Sequence, residues 1–390
     1  MSYLGSERRA VDRREPRIVD VRPTFAHIDL HALGNNLRRV RDTVGSGCRI
    51  LAVVKADAYG HGALDASRAL VEAGAWGLAV SLVEEGIELR QAGIRGPIIV
   101  LGGVSPGSED VIVHRALTPV VWEPEQLEML GCAVARSGAP PLSVHLKIDT
   151  GMSRLGVLPK DLGNLVDGLS RAAKQHLCIE GVMTHLACAD EEHDDHTLGQ
   201  LRIYSECLET LGRRGLKPEI RHVCNSAGLV RYPAAHFDMV RPGIALYGAA
   251  SSRACALPGL EMAMSFHSRI LAIRELPAGV SVSYGHRAVL KRDSRLGLVP
   301  VGYGDGYARK MSGRAEVLVR GHRCRVVGNI TMDLSMIDVT DIPGARVGEK
   351  VTLLGDQGHG NIGLYEMSEW ADLIPYEVLC GISKRVPRRA

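Results

Sequence analysis

Residues 50–62 read ILAVVKADAYGHG, an apolar run that ends abruptly in a lysine and continues into a turn-rich segment. A helical pattern of apolar residues begins at Leu64. This order predicts a buried strand, a loop and a helix, with Lys55 at the carboxyl end of the strand. Burial disfavours the charged form of a lysine, which makes Lys55 a candidate amine nucleophile. Considered alone, Lys55 is better explained as a lysine that extends from a strand end into solvent.

The composition is that of a globular protein with two domains. The 390 residues exceed what one ordinary core holds, and 45% of them are hydrophobic. The net charge of +3 is too small to predict binding to nucleic acid or to a membrane surface. The nine cysteines are scattered without a C-x-x-C pair, so no metal site is predicted and a reducing cytoplasm is favoured.

The first 24 residues differ from the rest of the chain. They are rich in Arg, Asp and Glu and have no apolar stripe, which predicts a disordered tail rather than a targeting signal. A strand at Thr24–Leu30 and a helix at Leu33–Val44 are predicted to follow.

A regular alternation of strand and helix patterns begins at residue 50. Eight apolar runs lie near residues 50–54, 76–80, 97–101, 118–121, 142–148, 178–184, 219–224 and 237–241. Helical patterns between them include Leu82–Ala92, Pro124–Ser137, Leu162–Ala173 and Thr197–Arg214. Eight such units predict an N-terminal (β/α)8 TIM-type barrel at residues 25–255, with a doubly wound open sheet as the alternative.

The pattern changes after residue 255. Short runs rich in β-branched residues occur at Phe266–Arg274, Ser281–Leu290, Leu296–Val301, Ala315–Arg320, Cys324–Val327 and Lys350–Leu354. Turns carrying Gly, Pro, Asp and Asn join them, which predicts a mostly-β C-terminal domain at residues 256–390.

Polar residues follow the predicted strands at their carboxyl ends, where a (β/α)8 barrel has its active site. They are Lys55 and Tyr59 after strand one, Asp149 and Arg154 after strand five, His185 after strand six, His222, Asn225 and Ser226 after strand seven, and Arg241, Gly243 and Ile244 after strand eight. Each one alone fits an ordinary structural role. Loops after strands seven and eight often hold a phosphate, which Ser226 and Gly243 would suit. A lysine at strand one together with a phosphate cradle predicts a pyridoxal phosphate (PLP) site.

Eight segments resemble those of bacterial alanine racemases, and the resemblance runs in order from about Thr24 to Arg388, across both predicted domains. The segments are AVVKADAYGHG (52–62), KIDTGMSRLG (147–156), THLACAD (184–190), HVCNSAGLVRYP (222–233), VRPGIALYG (240–248), VSYGHRAVL (282–290), TMDLSMIDV (331–339) and IPYEVLCGISKRVPR (374–388). The resemblance implies a PLP barrel of fold type III, a β domain and a head-to-tail homodimer with shared active sites. It also implies interconversion of L- and D-alanine, the latter for peptidoglycan synthesis.

The resemblance assigns a role to each matching residue. Lys55 would hold PLP covalently and act as the base on one face of the substrate, and Tyr284 of the partner subunit would act on the other. Arg241 would bond the pyridine nitrogen, His185 would link Tyr284 to Arg241, and His222 would pack against the ring. The phosphate would be held by Tyr59, Ser226, Gly243, Ile244 and Tyr376, and Asn225 is counted as cofactor-binding. Arg154 and the main chain of Met332 would take the substrate carboxylate.

The chemistry of two of these residues is constrained. A free tyrosine has a pKa near ~10, so Tyr284 needs an electropositive relay before it can act as a base. Arginine stays protonated, so Arg241 would leave the pyridine nitrogen neutral and the ring a weaker electron sink. In some family members the lysine that matches Lys147 is carbamylated and orients the substrate-binding arginine; the sequence leaves this open. One departure is GYGDG at residues 302–306, where the family has GYADG.

Three other functions compete with this prediction. A PLP-dependent decarboxylase of basic amino acids needs an acid at the pyridine nitrogen, which Arg241 argues against. A non-enzymatic PLP carrier with a single barrel domain lacks the β domain and the motif around Tyr284. A racemase of broader specificity is the nearest alternative, because a methylene or two changes binding by only about 1–3 kcal/mol.

Overall fold

The computed structural model of the chain describes residues 22–192, 195–286 and 288–390. Residues 1–21 of the predicted tail lie outside the described residues. From residue 22 onwards the chain contacts the C-terminal region. Arg22 donates to both carboxylate oxygens of Asp305 at 2.7 Å, and Thr24 Oγ1 lies 2.8 Å from Ser268 Oγ.

Strands and helices are numbered in chain order. The strands are β1 Phe25–Ile28, β2 Arg49–Val53, β3 Gly77–Val80, β4 Ile98–Val100, β5 Thr118–Val121, β6 Leu142–Lys147, β7 Leu177–Met183, β8 Ile220–His222, β9 Met239–Val240, β10 Met264–Arg269, β11 Ala272–Leu276, β12 Ser281–Val282, β13 Ala288–Val289, β14 Ser294–Val299, β15 Glu316–Val319, β16 His322–Val327, β17 Ser335–Asp338, β18 Lys350–Gln357, β19 Gly360–Ile362 and β20 Arg388–Arg389. The helices are α1 Leu30–Val44, α2 Lys55–Gly60, α3 Ala63–Glu72, α4 Val83–Gln91, α5 Glu109–His114, α6 Pro124–Ser137, α7 Leu162–Asp167, α8 Arg171–His176, α9 Asp195–Arg213, α10 Ser226–Arg231, α11 Leu364–Ala371 and α12 Pro375–Gly381.

Strands β2–β9 form one parallel sheet that is nearly closed into a barrel. Neighbours pair in the order β8-β7-β6-β5-β4-β3-β2-β9. Asp238 N donates to Arg221 O at 3.1 Å and Arg241 N donates to Cys224 O at 2.9 Å, which connects β8 to β9. The first barrel strand, β2, pairs with the last, β9, and the bonds between β8 and β9 join the two ends of the sheet. The (β/α)8 prediction is therefore confirmed and the open sheet is excluded.

The barrel strands are buried on both faces, as in other parallel sheets. Every residue of β3 and of β4 is buried. This burial is why the strands read as continuous apolar runs, and the eight predicted runs coincide with β2–β9 to within two residues at each end.

The helices agree less closely with the predictions. The predicted helix at 162–173 is wrong, because α7 and α8 are separate and Ser170 Oγ caps α8 by accepting from Ala173 N at 3.1 Å. Helix α1 begins three residues earlier than predicted, where Asp29 Oδ1 accepts from Ala32 N at 3.0 Å. This cap ends β1 at Ile28.

The C-terminal region is a ten-stranded sheet with helices at its end. The path is β11-β14-β17-β16-β15-β18-β10-β1-β20, with β19 on β18 and a separate β12–β13 hairpin. Strand β1 pairs with β10 and β20, so the first described strand lies in this sheet. The predicted run 266–274 is two strands, and 281–290 is a hairpin around Tyr284–His286. Helices α11 and α12 were not predicted, although Pro375 and Glu377 are typical of a helix start.

The two regions have separate apolar cores that meet near Lys55. Tyr376 packs against both cores. Arg388 Nε donates to Gly60 O at 2.9 Å, and a Cβ on Gly60 would lie 2.4 Å from Leu379 O. These contacts fasten the turn after Lys55 to the C-terminal region.

Three further properties concern the described residues. Within those ranges, no helix has the length and apolar character needed to cross a membrane. The same residues contain no group of three or more His, Cys, Asp or Glu placed to hold a metal ion. All nine cysteines are free thiols.

Candidate active site

Lys55 opens a single turn with unusual backbone geometry at the carboxyl end of β2. Residues 56–59, none of them glycine, have φ between 52° and 54°. Left-handed geometry costs a non-glycine residue about 1–2 kcal/mol, so the surrounding contacts must stabilise this turn. Ala58 N donates to Val54 O at 2.9 Å and Gly62 N donates to Asp57 O at 3.0 Å.

The carboxylate of Glu85 also stabilises the turn, a role that the sequence analysis missed. One oxygen accepts from Ala56 N at 2.6 Å. The other accepts from Ser81 N at 2.7 Å and from Leu82 N at 3.0 Å. Glu85 thus connects the residue after Lys55 to the start of α4. A Glu three residues after the N-cap position is typical of a capping box, so its place after Leu82 was the sequence signal for this role.

Positive charge is concentrated around Lys55. Burial lowers the pKa of Lys55, and the charge of Arg154 lowers it further, whereas Glu85 and Cys380 raise it. Burial lowers the pKa of Lys147 to about 8, with contributions from Arg241 and Arg154. The neutral amine forms of both lysines are therefore more accessible than in solution.

Arg154 lies in a loop that Asp149 shapes. One carboxylate oxygen of Asp149 accepts from the main-chain N–H groups of Gly151, Met152 and Ser153 at 2.9–3.0 Å. This turn follows β6 directly and keeps Arg154 close enough to lower the pKa of Lys55 and Lys147.

Arg241, at the end of β9, is held by groups that follow or end two other barrel strands, β7 and β8. Its Nη1 lies 3.0 Å from Nδ1 of His222, and its Nη2 lies 3.2 Å from Nδ1 of His185. Nη2 also donates to the main-chain oxygens of Thr184 at 2.8 Å and Val223 at 3.1 Å. Burial and the charge of Arg241 lower the pKa of both histidines, so both rings are neutral acceptors near neutral pH.

A cradle of small and hydroxyl-bearing residues lies beside this cluster. Ser226 Oγ accepts from Gly243 N at 2.9 Å and from Ala245 N at 3.3 Å. A Cβ on Gly243 would lie 2.3 Å from the hydroxyl of Tyr59. Asn225 Oδ1 caps α10 by accepting from Gly228 N at 2.9 Å, which is the ordinary structural role of an asparagine there.

The remaining predicted cradle residues lie next to these. Ile244 follows Gly243 and is fully buried. The ring of Tyr376, from α12, lies 5.9 Å from that of Tyr59. Burial raises the pKa of Tyr376 to about 12 and raises that of Tyr59 as well, so both phenols are hydrogen-bond donors at neutral pH.

Tyr284 and Met332 lie apart from this cluster, on the C-terminal region. They line one cavity of about 670 Å³ whose described lining residues all come from residues 284–334. The side chain of Tyr284 is 74% exposed and that of Met332 is 52% exposed. Asn329 Nδ2 donates to Tyr284 O at 2.7 Å, which fixes the hairpin turn.

The GYGDG segment supports Met332. Tyr303 N donates to Thr331 O at 3.0 Å and Gly304 N donates to Met332 O at 2.9 Å. A Cβ on Gly304 would lie 2.3 Å from Nη1 of Arg385, so the glycine gives this arginine side chain room.

Two family models match the chain. "Alanine racemase, N-terminal domain" matches residues 28–251 and "Alanine racemase, C-terminal domain" matches residues 263–390. The chain belongs to the alanine racemase family. The two matches span both structural regions in order, and only residues 252–262 lie between them.

Individual members of the family are similar over nearly their whole length. An alanine racemase of Symbiobacterium thermophilum is 45% identical over 94% of this chain and 97% of its own. The crystal structure of alanine racemase from Streptomyces lavendulae superposes with a TM-score of 0.90 at 36% identity, covering 94% of this chain and 97% of that one. The Bartonella henselae alanine racemase, described with covalently bound pyridoxal phosphate, gives a TM-score of 0.83 at 29% identity, covering 94% and 99%.

Proposed function

We propose that the protein interconverts L- and D-alanine with PLP and two bases. The observation that carries this proposal is that one barrel end holds both Lys55, whose pKa is lowered, and Arg241, a buried arginine where the decarboxylase alternative needs an acid. Arg241 is fixed by four acceptors, and its guanidinium can only donate. This favours a racemase over the decarboxylase alternative.

The residues present fit PLP. Tyr59 and Tyr376 supply phenol donors, Ser226 supplies a hydroxyl, and Gly243 leaves space where a Cβ would meet Tyr59. This set suits a phosphate, and Lys55 supplies the amine that carbonyl cofactors require. The chemistry that PLP supplies when bound is electron withdrawal that acidifies the α-proton of an attached amino acid.

Lys55 and Tyr284 would move the proton on opposite faces of the substrate. The amine of Lys55 has a lowered pKa and can take or return a proton. Arg154, beside it, would hold the substrate carboxylate, and Arg241 would donate to the pyridine nitrogen and keep it unprotonated. His185, bonded to Arg241, would contact the phenol of Tyr284 and help it act as a base.

A homodimer would complete this site. Tyr284 and Met332 are exposed on the C-terminal region, whereas Lys55 lies at the end of the barrel. A head-to-tail dimer would place the partner subunit's Tyr284 against Lys55 and cover the exposed side chains. The nine free thiols favour a reducing cytoplasm as the location.

The experiment that tests this function is exchange of the α-proton in heavy water. The protein and PLP are incubated with L-alanine, and deuterium at Cα and D-alanine are followed together. We expect deuterated D-alanine, and Lys55→Ala should abolish both the reaction and covalent attachment of PLP. Absence of exchange with alanine, serine, lysine and arginine would contradict the proposal.

A further inference from the structure

A row of polar side chains runs from Arg241 through two buried histidines to Glu180, whose side chain is 27% exposed. Nη1 of Arg241 lies 3.0 Å from Nδ1 of His222, and Nε2 of His222 lies 2.8 Å from Nδ1 of His145. Nε2 of His145 lies 3.4 Å from a carboxylate oxygen of Glu180. Both imidazoles are fully buried, so the four side chains form one continuous path that ends in a carboxylate.

The two ends of this path fix the direction of every hydrogen bond in it. A guanidinium only donates and an ionised carboxylate only accepts. Nδ1 of His222 must therefore accept from Arg241, and its Nε2–H must donate to His145. The Nε2–H of His145 must in turn donate to Glu180. Burial lowers the pKa of both histidines, so one proton on each ring matches this arrangement.

The backbone of β7 brings the carboxylate to His145 through a β-bulge. Strand β6 pairs with β7 in regular register up to Val144, which lies opposite Ile179, but His145 pairs with Gly181. Glu180 is the extra residue of the bulge, a feature that re-aims a side chain. A Cβ on Gly181 would lie 2.4 Å from Nδ1 of His145, so the glycine makes room for the ring.

The path has a consequence for Arg241, a fully buried cation. The other acceptors of its guanidinium are two main-chain oxygens and the ring nitrogen of His185. An isolated buried charge costs free energy. A carboxylate at the end of a polarised hydrogen-bond path offsets part of this cost and strengthens His222 as an acceptor.

We propose that Glu180 and His145 are positioning residues, which hold His222 and through it Arg241 in the orientation that the cofactor nitrogen requires. Both act through Arg241 rather than by touching substrate or cofactor. The effect on turnover rests on the proposed function, whereas the direction of the hydrogen bonds is a property of the protein alone.

The positions of the ring protons test this inference without an activity measurement. Protein with isotopically labelled histidine would be examined by long-range proton–nitrogen correlation NMR, with signals assigned from His145→Asn and His222→Asn variants. The expected result is a proton on Nε2 and a bare Nδ1 in both rings. A proton on Nδ1 of either ring at neutral pH would overturn the proposal.

Substitutions of Glu180 separate positioning from packing. Glu180→Met keeps the volume but removes the acceptor, whereas Glu180→Gln keeps an acceptor oxygen. We expect kcat to fall about tenfold in the Met variant with KM for alanine unchanged, and the Gln variant to recover most of the loss. The Met variant should also broaden the ring signals of His145, which a loss of packing elsewhere would not do.

A surface carboxylate provides the control. Glu209 is exposed on α9, and Glu209→Gln should match the wild type in kcat and in the histidine signals. Equal kcat in Glu180→Met and the wild type would overturn the proposal. A wild type without racemase activity would instead refute the proposed function, and the ring-proton test would still decide the direction of the hydrogen bonds.

Discussion

Gly243 lies so close to Tyr59 that a Cβ on the glycine would stand 2.3 Å from the phenol oxygen. Gly243→Ala therefore pushes the phenol away from the cradle. Overpacking of this kind costs about 1–3 kcal/mol, so we expect PLP to bind about tenfold to a hundredfold more weakly. Fluorescence titration of the apoprotein with PLP measures this change.

The control for this prediction is another glycine without close neighbours. A Cβ on Gly212, in α9, would meet nothing within 4 Å, so Gly212→Ala should leave the affinity for PLP unchanged. If both variants bind PLP as the wild type does, Tyr59 and Gly243 do not form the phosphate site.

Arg241→Lys tests whether the guanidinium shape matters as well as its charge. Lysine keeps the charge but cannot reproduce the planar fork that bonds His222, His185 and two main-chain oxygens. Buried acceptors left without donors cost about 1–3 kcal/mol, so we expect kcat to fall about tenfold to a hundredfold. The exposed Arg213→Lys is the control, and an unchanged kcat in Arg241→Lys would contradict the role assigned to the arginine.

Lys147 is predicted to react with carbon dioxide and to carry the resulting carbamate. Burial and two guanidinium groups lower its pKa to about 8, and only the neutral amine reacts. The neutral fraction rises with pH through about 8, so the carbamate should increase as the pH is raised and disappear as it falls. Carbon NMR with labelled bicarbonate measures it, and Lys147→Ala should lack the signal at every pH. A wild-type spectrum without the signal would show that the lysine is unmodified.

Tyr284→Phe should affect the two substrate enantiomers unequally. General base catalysis contributes about a hundredfold or more, and the phenol would serve only one face. We therefore expect deprotonation of one enantiomer to slow by about that factor while exchange of the other by Lys55 persists. Deuterium exchange started separately from L- and D-alanine gives both rates. Small and equal changes would speak against two bases.

The barrel could be predicted because its evidence is local. Each strand from β2 to β9 is a short apolar run between helical patterns, and burial on both faces produces that run directly. The helix predicted at 162–173 was wrong because the chain breaks at Gly168–Ser170, between α7 and α8. The apolar residues on either side of this break have helical spacing, which suggested one continuous helix.

Several site features could not be predicted because they depend on distant contacts. The left-handed turn at residues 56–59 contains no glycine, and Glu85 helps to stabilise it from the first turn of α4. The bulge at Glu180 depends on the register between β6 and β7, which no local pattern contains. His145 did carry a signal, since it lies two residues before Lys147 and thus on the same strand face.

Mixing of two variants that each racemise alanine poorly or not at all tests the shared active site most directly. Lys55→Ala and Tyr284→Phe subunits are dissociated together, allowed to reassociate and assayed for racemisation, with affinity tags to confirm hybrid dimers. If Tyr284 serves the partner's Lys55, half of randomly formed dimers are hybrids with one intact site, and roughly a quarter of wild-type activity returns. Hybrid dimers that form but remain inactive would contradict the account, because they would place both bases in the same subunit.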